Sequence, residues 1–460
     1  MPDYDVVVIG AGPGGYVAAI RAAQLGLKTA VVERDELGGV CLNWGCIPSK
    51  ALLRNAEILE LFHRAEEFGI SFDNLQVDFG KAIDRSRKVV ATLTQGVASL
   101  LKKNKVGHIK GEAVFLDPFT LRVSPNDQTI TASNVIIATG ASPRSIPGLA
   151  IDGQQVITSR EALELRKIPQ RVVVIGGGAT GVEFAYLWNA YGSEVTIVEM
   201  LPNLVPSEDE DISLALERSF ERQGIKVMTG ARVKNATKDT NGLQLEVEQG
   251  EEVTNLRAEL VLVAVGVKAN TYGLGLDTIG VELERDYVNI DSSMATNVSG
   301  VYAIGDVTGI LLLAHVAQAQ GVLAVERISG LENSDLNYEL MPKATYCHPQ
   351  VTSFGLTEKQ ARERGLDVKI GKFPFQASGK AIAIGDTEGM VKVVAGKDYG
   401  ELLGVHMIGP EVTEMLGEMS LGRLLEGTNR EIGMLVHSHP TLSETLKEAA
   451  LDADGEAIHI

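Results

Sequence analysis

The chain has 460 residues, of which 45% are hydrophobic, and a formal net charge of -18. Nucleic acids and anionic membrane surfaces attract basic proteins, so this charge argues against both as partners. Three cysteines are too few for a secreted disulfide framework, and the sequence shows neither an N-terminal signal segment nor an apolar run long enough to span a membrane. These features predict a cytoplasmic protein, and the length favours about three domains.

A strand, a glycine turn, a helix and a second strand open the chain. The apolar run Tyr4–Ile9 leads into the turn, a periodic segment then reaches Leu25, and the strand Thr29–Val32 ends at Glu33. This order is the dinucleotide-binding fingerprint in its required context, because the glycines let the backbone approach a pyrophosphate while the acid accepts from ribose hydroxyls. The glycines of the turn are Gly10, Gly12, Gly14 and Gly15.

The same pattern recurs further along the chain. The strand Arg171–Ile175 leads into a second glycine turn and a helix that reaches Tyr191, and the strand Glu194–Val198 ends at Glu199. Each acid follows the last glycine of its turn by the same number of residues, which indicates an internal repeat and predicts two bound dinucleotides. The glycines of the second turn are Gly176, Gly178 and Gly181, and later strands that end at Gly140 and Gly266 complete the two units.

Two of the cysteines lie in one short segment, Gly38–Lys50, which reads GGVCLNWGCIPSK. In a regular helix the Cα atoms of Cys41 and Cys46 would be about 8 to 9 Å apart, whereas a disulfide wants roughly 4.4 to 6.8 Å. A bond between them therefore requires a distorted backbone, for which Gly45 supplies conformational freedom. We predict that Pro48 opens the next helix, whose dipole would stabilise a thiolate. On these residues alone, two small buried hydrophobes remain an alternative.

The rest of the chain adds a strand that runs into Asp306, and then shorter strands and Met- and Leu-rich helices beyond about Leu340. We expect Met415, Leu416 and Met419 to pack a core or a subunit interface. The third cysteine, Cys347, is predicted to be a buried thiol.

Two segments, CLNWGCIPSK and HSHPTLSE at 437–444, resemble motifs of the flavoprotein disulfide reductases, and the first is most similar to their dihydrolipoamide dehydrogenase branch. The resemblance covers nearly the whole chain. It implies FAD in the first dinucleotide unit and NAD in the second. It also implies a homodimer and a lipoyl-bearing acyltransferase of a 2-oxo acid dehydrogenase complex as partner.

The resemblance also assigns the catalytic residues. Cys41 and Cys46 would form the redox disulfide, with Cys41 as the thiol that exchanges with substrate and Cys46 as the thiolate next to the flavin. His439 would be the acid/base that Glu444 orients. Lys50 would pair with Glu183 near the flavin, and His437 is expected to have no such role.

Cofactor binding is implied for a larger set. In addition to the two catalytic residues Lys50 and Glu183, it comprises Gly10, Gly12, Gly14, Gly15, Glu33, Ala113, Thr139, Gly140, Asp306, Leu312, Leu313, Ala314 and His315, together with Gly176, Gly178, Gly181, Glu199, Val233 and Gly266. No metal site is expected. The segment Val267-Lys268-Ala269 departs from the family's usual Arg-Arg-Pro, which could alter contacts of the nicotinamide domain.

The predicted fold class is α/β, with two Rossmann-like dinucleotide-binding domains and a C-terminal α+β dimerisation domain. The predicted boundaries are 1–147 for the first part of the FAD-binding domain, 148–270 for the NAD-binding domain, 271–340 for the segment that completes the FAD-binding and central region, and 341–460 for dimerisation. Two alternatives remain: a related reductase of glutathione-like disulfides, other disulfides or metal ions, and a flavin-binding module without turnover.

Overall fold

The computed structural model describes residues 1–239 and 242–460. The chain divides into two compact units. The first comprises residues 1–52, 80–144 and 266–338, and the second comprises residues 53–79, 145–265 and 339–460. Among the described residues, none of the helices combines the length and hydropathy that crossing a membrane requires.

The strands, numbered in chain order, are β1 Tyr4–Ile9, β2 Thr29–Glu33, β3 Gly107–Lys110, β4 Glu112–Asp117, β5 Thr120–Ser124, β6 Gln128–Ile137, β7 Ala141–Pro143, β8 Val156–Ile157, β9 Arg171–Ile175, β10 Glu194–Val198, β11 Lys226–Met228, β12 Ala231–Asp239, β13 Gly242–Gln249, β14 Glu252–Ala258, β15 Leu260–Val263, β16 Val267–Ala269, β17 Leu283–Glu284, β18 Tyr287–Val288, β19 Val301–Ala303, β20 Lys343–Thr345, β21 Gln350–Gly355, β22 Val368–Pro374, β23 Met390–Gly396 and β24 Leu402–Gly409.

The α-helices are α1 Pro13–Gln24, α2 Gly39–Trp44, α3 Cys46–His63, α4 Phe79–Lys103, α5 Ser159–Ala162, α6 Ala179–Ala190, α7 Glu210–Arg222, α8 Leu276–Ile279, α9 Ala314–Ile328, α10 Glu358–Glu363, α11 Gly379–Ile384, α12 Val412–Leu424, α13 Asn429–Met434 and α14 Glu444–Asp452. Short 3-10 turns cover Ala65–Phe68, Gly305–Thr308, Tyr338–Leu340 and Phe375–Ala377.

The first unit is built on a seven-stranded sheet in the order β3-β2-β1-β6-β5-β4, with β19 also paired to β6. Strand β1 is parallel to β2 and β6, and Val7 pairs with Ala30 on one side and Val135 on the other. The three consecutive valines Val6, Val7 and Val8 are fully buried. A continuous apolar run is what a parallel strand with both faces covered requires.

The second unit contains a parallel sheet in the order β11-β10-β9-β15-β8, a three-stranded meander of β12, β13 and β14, and an antiparallel sheet in the order β20-β21-β24-β23-β22. The antiparallel sheet packs its core against α12 and α14. Met415, Leu416 and Met419 are buried in this core. Their predicted packing role is confirmed.

The predicted fold class is confirmed by a mixed sheet in the first unit and by a parallel sheet and a C-terminal α+β region in the second. Strands β1, β9 and β10 have the predicted bounds. The prediction for Pro48 was wrong, because α3 begins at Cys46 and ends at His63. The segment from Gly266 to Asn270 lies in the first unit, since β16 pairs with β7. The four-part domain division stays a prediction.

Candidate active site

The first glycine turn is shaped by two close backbone approaches. Gly10 has φ +102, and a Cβ on it would lie 2.3 Å from the carbonyl oxygen of Ala138. A Cβ on Gly15 would lie 1.9 Å from the carbonyl oxygen of Gly10. Any larger residue at either position would force β1, α1 and β6 apart.

The second glycine turn has nearly the same backbone angles and the same close approaches. Gly176 has φ +108 with its Cβ position 2.3 Å from the carbonyl oxygen of Ala264, and the Cβ position of Gly181 lies 1.9 Å from the carbonyl oxygen of Gly176. The internal repeat read from the sequence is therefore also a structural repeat.

Both turns leave room for a pyrophosphate. Gly12 and Gly178 are the N-cap residues of α1 and α6, and a glycine offers no side-chain oxygen to the first N–H groups of a helix. Within the described part of the chain, open space surrounds the Cβ position of both. Helix N-termini of this kind bind phosphate through backbone N–H groups and the helix dipole.

The acid that follows each repeat is held by the backbone. Glu33 accepts hydrogen bonds from N–H of Ala11 at 2.7 Å and of Asp35 at 2.8 Å. Glu199 accepts from N–H of Gly177 at 2.5 Å and of Leu201 at 2.7 Å. Because each carboxylate is anchored beside its glycine turn, its remaining lone pairs can accept from ribose hydroxyls.

Asp306 lies in the 3-10 turn Gly305–Thr308, which follows β19. Burial raises the pKa of this carboxyl to about 6. The turn is fixed by the side chain of Gln320, which accepts from N–H of Gly305 at 2.6 Å. A carboxyl placed away from water in this way suits a ligand that donates hydroxyl groups.

The other residues predicted to bind cofactor are spread over both units, and their roles stay predictions. Thr139 and Asn270 exchange two hydrogen bonds, of 2.8 and 2.9 Å. Ala113 is buried in β4, Val233 lies on β12, Gly140 and Gly266 have positive φ, Leu312 is exposed, Leu313 is the N-cap of α9, and Ala314 and His315 open that helix.

The two cysteines lie on different helices. Cys41 is on α2, which ends at Trp44, and Cys46 begins α3. Between them Gly45 has φ -141 and ψ -119, and a Cβ there would lie 2.8 Å from the carbonyl oxygen of Val40. The predicted backbone distortion is thus present, although Gly45 is needed for close approach and not for a left-handed conformation.

The helix that carries Cys41 is docked on the first glycine turn. N–H of Gly38 donates to the carbonyl oxygen of Ala11 at 2.8 Å. Gly39 has φ +56, and its Cβ position lies 2.7 Å from Cα of Gly12. The thiols are therefore placed next to the turn that would hold the first dinucleotide.

Both cysteines are in the thiol form and half-buried. A hydrogen bond to Cys46 and burial both raise the pKa of Cys41, while the positive charge of Lys50 acts in the opposite direction. Cys41 and Cys46 therefore form a hydrogen-bonded pair. This arrangement favours negative charge on Cys46, which lies at the N-terminus of α3.

Sequence reasoning missed the side chains of α4 that brace the cysteine segment. Arg87 donates to the carbonyl oxygen of Asn43 at 2.8 Å, and Ser86 donates to that of Pro48 at 3.2 Å. Asn43 itself donates to two carbonyl oxygens of its own segment. Ser86 is fully buried. The sequence signal for this contact was a serine within the buried face of a long helix.

His439 and Glu444 form a hydrogen-bonded pair in the second unit. Nδ1 of His439 lies 2.9 Å from the Glu444 carboxylate, whose other oxygen accepts from N–H of Thr441 at 2.8 Å. Burial tends to raise the pKa of Glu444, but the bonds from Thr441 and His439 outweigh it and leave that pKa lowered. The imidazole is 79% exposed, so its Nε2 faces outward.

The structure also places four further predicted residues. Glu183 is buried on α6 and accepts from N–H of Tyr346 at 2.9 Å. Lys50 lies on α3, and its pairing with Glu183 stays a prediction. Cys347 is a buried thiol, as predicted, and donates to the carbonyl oxygen of Pro349 at 3.3 Å. His437 is buried against Glu418 at 2.8 Å, apart from the exposed His439.

Comparison with known proteins agrees with this geometry. Residues 4–321 match the family model described as pyridine nucleotide-disulphide oxidoreductase, and residues 341–450 match that family's dimerisation domain. The chain is 50% identical to the dihydrolipoyl dehydrogenase of Mycobacterium leprae, over 97% of both chains. It is 45% identical to that of Bacillus subtilis, over 99% of both.

Solved structures extend the likeness to the fold. LpdA of Mycobacterium tuberculosis has a TM-score of 0.90 at 26% identity and covers 97% of this chain and 99% of its own. The HOCl-induced flavoprotein disulfide reductase RclA of Escherichia coli, in a Cu(II) complex, has a TM-score of 0.88 at 27% identity and covers 98% of this chain and 99% of its own.

Proposed function

The chain belongs to the pyridine nucleotide-disulphide oxidoreductase family, among its FAD-dependent and NAD-linked dihydrolipoyl dehydrogenases, and from this premise we propose which of its residues carry the oxidation of dihydrolipoamide to lipoamide. The observation that carries the proposal is the thiol pair Cys41 and Cys46, on two helices broken at Gly45 and docked against the first glycine turn. A pair in this position can cycle between dithiol and disulfide beside a dinucleotide.

The residues fit two dinucleotides, since the open N-termini at Gly12 and Gly178 would hold the pyrophosphates of FAD and NAD, and Glu33 and Glu199 would hold the ribose hydroxyls. When bound, FAD and NAD would supply the redox chemistry that takes two electrons from the Cys41–Cys46 dithiol and reduces NAD to NADH.

The substrate step takes place at the sulfurs. A dihydrolipoyl thiolate attacks Sγ of Cys41, the Cys41–Cys46 bond breaks, and Cys46 leaves as a thiolate. The second substrate thiol then attacks the substrate sulfur of the mixed disulfide, the bond from that sulfur to Cys41 breaks, lipoamide is released, and Cys41 leaves as a thiol with the proton of the attacking group. The position of Cys46 at the N-terminus of α3 supports this order, because the helix dipole favours a thiolate there.

His439 takes the proton of the first substrate thiol. With Glu444 accepting from Nδ1–H, the other nitrogen, Nε2, carries the lone pair that a base needs. The imidazolium that results is stabilised by the Glu444 carboxylate and balances the negative charge on Cys46.

The match of residues 341–450 to the family's dimerisation domain supports a homodimer. We propose that each active site takes its cysteines from one subunit and His439 from the other. Two observations support this: the imidazole is 79% exposed, and large apolar side chains next to it are exposed as well, with Val436 at 94% and Met434 at 76%. A surface of this kind is what a second subunit covers.

The lipoyl group reaches the enzyme on a partner, for which we propose the acyltransferase of a 2-oxo acid dehydrogenase complex in the cytoplasm. A net charge of -18 suits a basic docking domain. Affinity for the acyltransferase should then fall as salt rises, because exposed charges are screened beyond about 8 to 10 Å near physiological ionic strength. An affinity independent of salt would point to an apolar interface instead.

Parallel assays test the proposed function against its rivals. The purified holoenzyme should reduce NAD with dihydrolipoamide, and this rate should exceed NADH-driven reduction of glutathione disulfide, mercuric ion and Cu(II), the last chosen because RclA was crystallised as a Cu(II) complex. Equal or faster turnover with one of the other acceptors would favour the related reductases. A protein that retains FAD but turns over none of them would be a flavin-binding module.

A further inference from the structure

One loop connects the acid of the second glycine turn to the next helix. It runs from Met200 to Glu208, between Glu199 at the end of β10 and Asp209, the N-cap of α7. In the first repeat the equivalent loop, after Glu33, leads into the cysteine segment. In the second it leads into one serine followed by four acids, Ser207-Glu208-Asp209-Glu210-Asp211, a segment that we call the acidic turn.

The middle of this loop contacts the second glycine turn directly. N–H of Val205 donates to the carbonyl oxygen of Gly177 at 2.8 Å, and Val205 has φ +41, a conformation that β-branched residues rarely adopt. A Cβ on Gly177 would lie 2.6 Å from the side chain of Leu204 and 3.1 Å from that of Glu199. A shift of the loop would therefore move the backbone that faces the dinucleotide.

The far end of the loop is held by the antiparallel sheet. Five polar residues occupy one register row across its strands: Lys343, Ser353, His406, Lys392 and Lys372. Residues paired in one row project from the same face of a sheet. Three of the five are lysines, and each contacts the acidic turn.

Lys392 makes the central contact. Its Nζ lies 2.8 Å from Asp209, 2.6 Å from Asp211 and 2.9 Å from Glu358, so its three N–H donors meet three carboxylates. Lys392 and Asp209 are 3% and 2% exposed.

The flanking lysines bind the same segment. At one end of the row Lys343 donates to the carbonyl oxygen of Ser207 at 3.1 Å, and at the other Lys372 lies 2.8 Å from Asp211. The other oxygen of Asp209 accepts from N–H of Glu358 at 3.1 Å. The acidic turn is thus held at three points along the sheet.

Buried ion pairs add little net stability compared with apolar packing, whereas removal of one partner is costly because the other charge stays buried. Packing alone would therefore not require a fully buried lysine opposite a helix N-cap. The arrangement does provide a fixed position for Asp209, and through Asp209 for the loop whose middle contacts the second glycine turn.

We propose that Lys392, with Lys343 and Lys372, is a positioning residue for NAD: the lysine row clamps the acidic turn, and this holds Leu204 and Val205 against Gly177 in the geometry that binds the pyridine nucleotide. The inference rests on the proposed function, in which this turn is the NAD site. In this proposal the three lysines act through the acidic turn and not by contact with the nucleotide. Their effect is on its affinity, and the dithiol chemistry of Cys41 and Cys46 is independent of them.

Three measurements on FAD-loaded Lys392→Met enzyme test the proposal: the Kd of NAD by titration calorimetry, the separate KM and kcat for NAD, and the anaerobic rate at which dihydrolipoamide alone reduces the enzyme. We expect the Kd and KM to rise about tenfold or more, since small displacements of positioning groups have effects of this size. The rate of reduction by dihydrolipoamide should not change.

A second variant covers the case in which Lys392→Met does not fold. Lys343→Met removes only the bond to the carbonyl oxygen of Ser207, and we expect a rise of about threefold in the Kd of NAD. The matched control is Lys369→Met, on the same strand as Lys372, which breaks a half-buried pair with Asp454 at 2.6 Å away from the acidic turn. It should lower the melting temperature and leave the Kd of NAD unchanged.

An unchanged Kd for NAD in folded Lys392→Met, or in folded Lys343→Met where the first variant cannot be made, would overturn the proposal. So would a rise of equal size in Lys369→Met, because a general loss of stability would then explain both. Failure of the wild-type enzyme to reduce NAD with dihydrolipoamide would refute the proposed function itself, which keeps the two failures apart.

Discussion

Nδ1 of His439 lies 2.9 Å from one oxygen of Glu444, and the other oxygen of that carboxylate accepts from the backbone at Thr441. Both oxygens have a partner, so the carboxylate cannot rotate without the loss of a bond. The proton of the neutral imidazole therefore lies on Nδ1, and Nε2 is left as the base.

Glu444→Gln should lower the rate of reduction by dihydrolipoamide by roughly 10- to 100-fold, as expected when the group that orients an acid/base is changed. His439→Gln should lower it further, by roughly 10²- to 10⁴-fold. Anaerobic stopped-flow measurement of the substrate step gives both values. His437→Gln is the control, because His437 is buried against Glu418 and should affect stability only. A Glu444→Gln enzyme with the wild-type rate would refute the orienting role.

Gly39→Ala should displace the helix that carries Cys41. Its φ is +56, and the new Cβ would lie 2.7 Å from Cα of Gly12, where backbone meets backbone. We expect loss of FAD content together with slower thiol exchange. Gly26→Ala is the control, because Gly26 also has a positive φ, at +86, but open space surrounds its Cβ position in the described part of the chain. Gly26→Ala should lower the free energy of unfolding by about 1 kcal/mol and leave the FAD content unchanged. Equal loss of FAD in both variants would contradict the docking of α2 on the first glycine turn.

Asp306→Asn should stabilise the FAD-depleted protein in a pH-dependent way. Burial raises the folded-state pKa of Asp306 to about 6. Below its ordinary pKa of 3.8 the carboxyl is protonated in both the folded and the unfolded state, so it does not change the free energy of unfolding. Above that pH its ionisation lowers the free energy of unfolding, and the loss is complete once the pH has passed about 6. The variant should therefore melt at a higher temperature than wild type at pH 8, by an amount that corresponds to about 1 to 2 kcal/mol after solvent screening. At pH 4 the two should melt together. A difference that does not vary with pH would show that the charge is not its cause.

The enzyme should prefer NAD to NADP. Glu199 is anchored by Gly177 and Leu201 where a 2'-phosphate would have to lie, and its carboxylate repels that phosphate. Glu199→Arg should relax the preference, which kcat/KM with each nucleotide will measure. Equal values for the wild-type enzyme would remove the basis of this assignment.

Patterns of neighbouring residues in the sequence predicted much of the fold. Tyr4–Ile9 and Arg171–Ile175 are apolar runs that end in glycine, so strand and turn could be read from neighbouring residues, and the equal spacing to Glu33 and Glu199 identified the repeat. The start of α3 was misplaced at Pro48 because the usual preference of proline for the first helical turn does not say which of its positions the proline takes.

Non-local contacts could not be read in the same way. The row that joins Lys343, Lys392 and Lys372 depends on the register of five strands, which no local pattern contains. The same holds for Ser86 and Arg87 of α4, which lie dozens of residues from the carbonyl groups that they bind. These contacts position the functional groups without belonging to any motif.

The last prediction concerns how the active site is divided between subunits. Consider a heterodimer of a Cys46→Ser chain and a His439→Gln chain, each inactive as a homodimer. If each site takes its thiols from one subunit and His439 from the other, one site collects both lesions and the second has none. Activity should then return to about half of the wild-type value per dimer, because one of two equivalent sites is intact. If the site lies within one chain, each site keeps one lesion and the heterodimer stays inactive. Differently tagged chains, purified in succession and checked for FAD content, provide the material. An assembled and FAD-loaded heterodimer without activity would refute the shared site, and the exposure of His439 at 79% would then need another explanation.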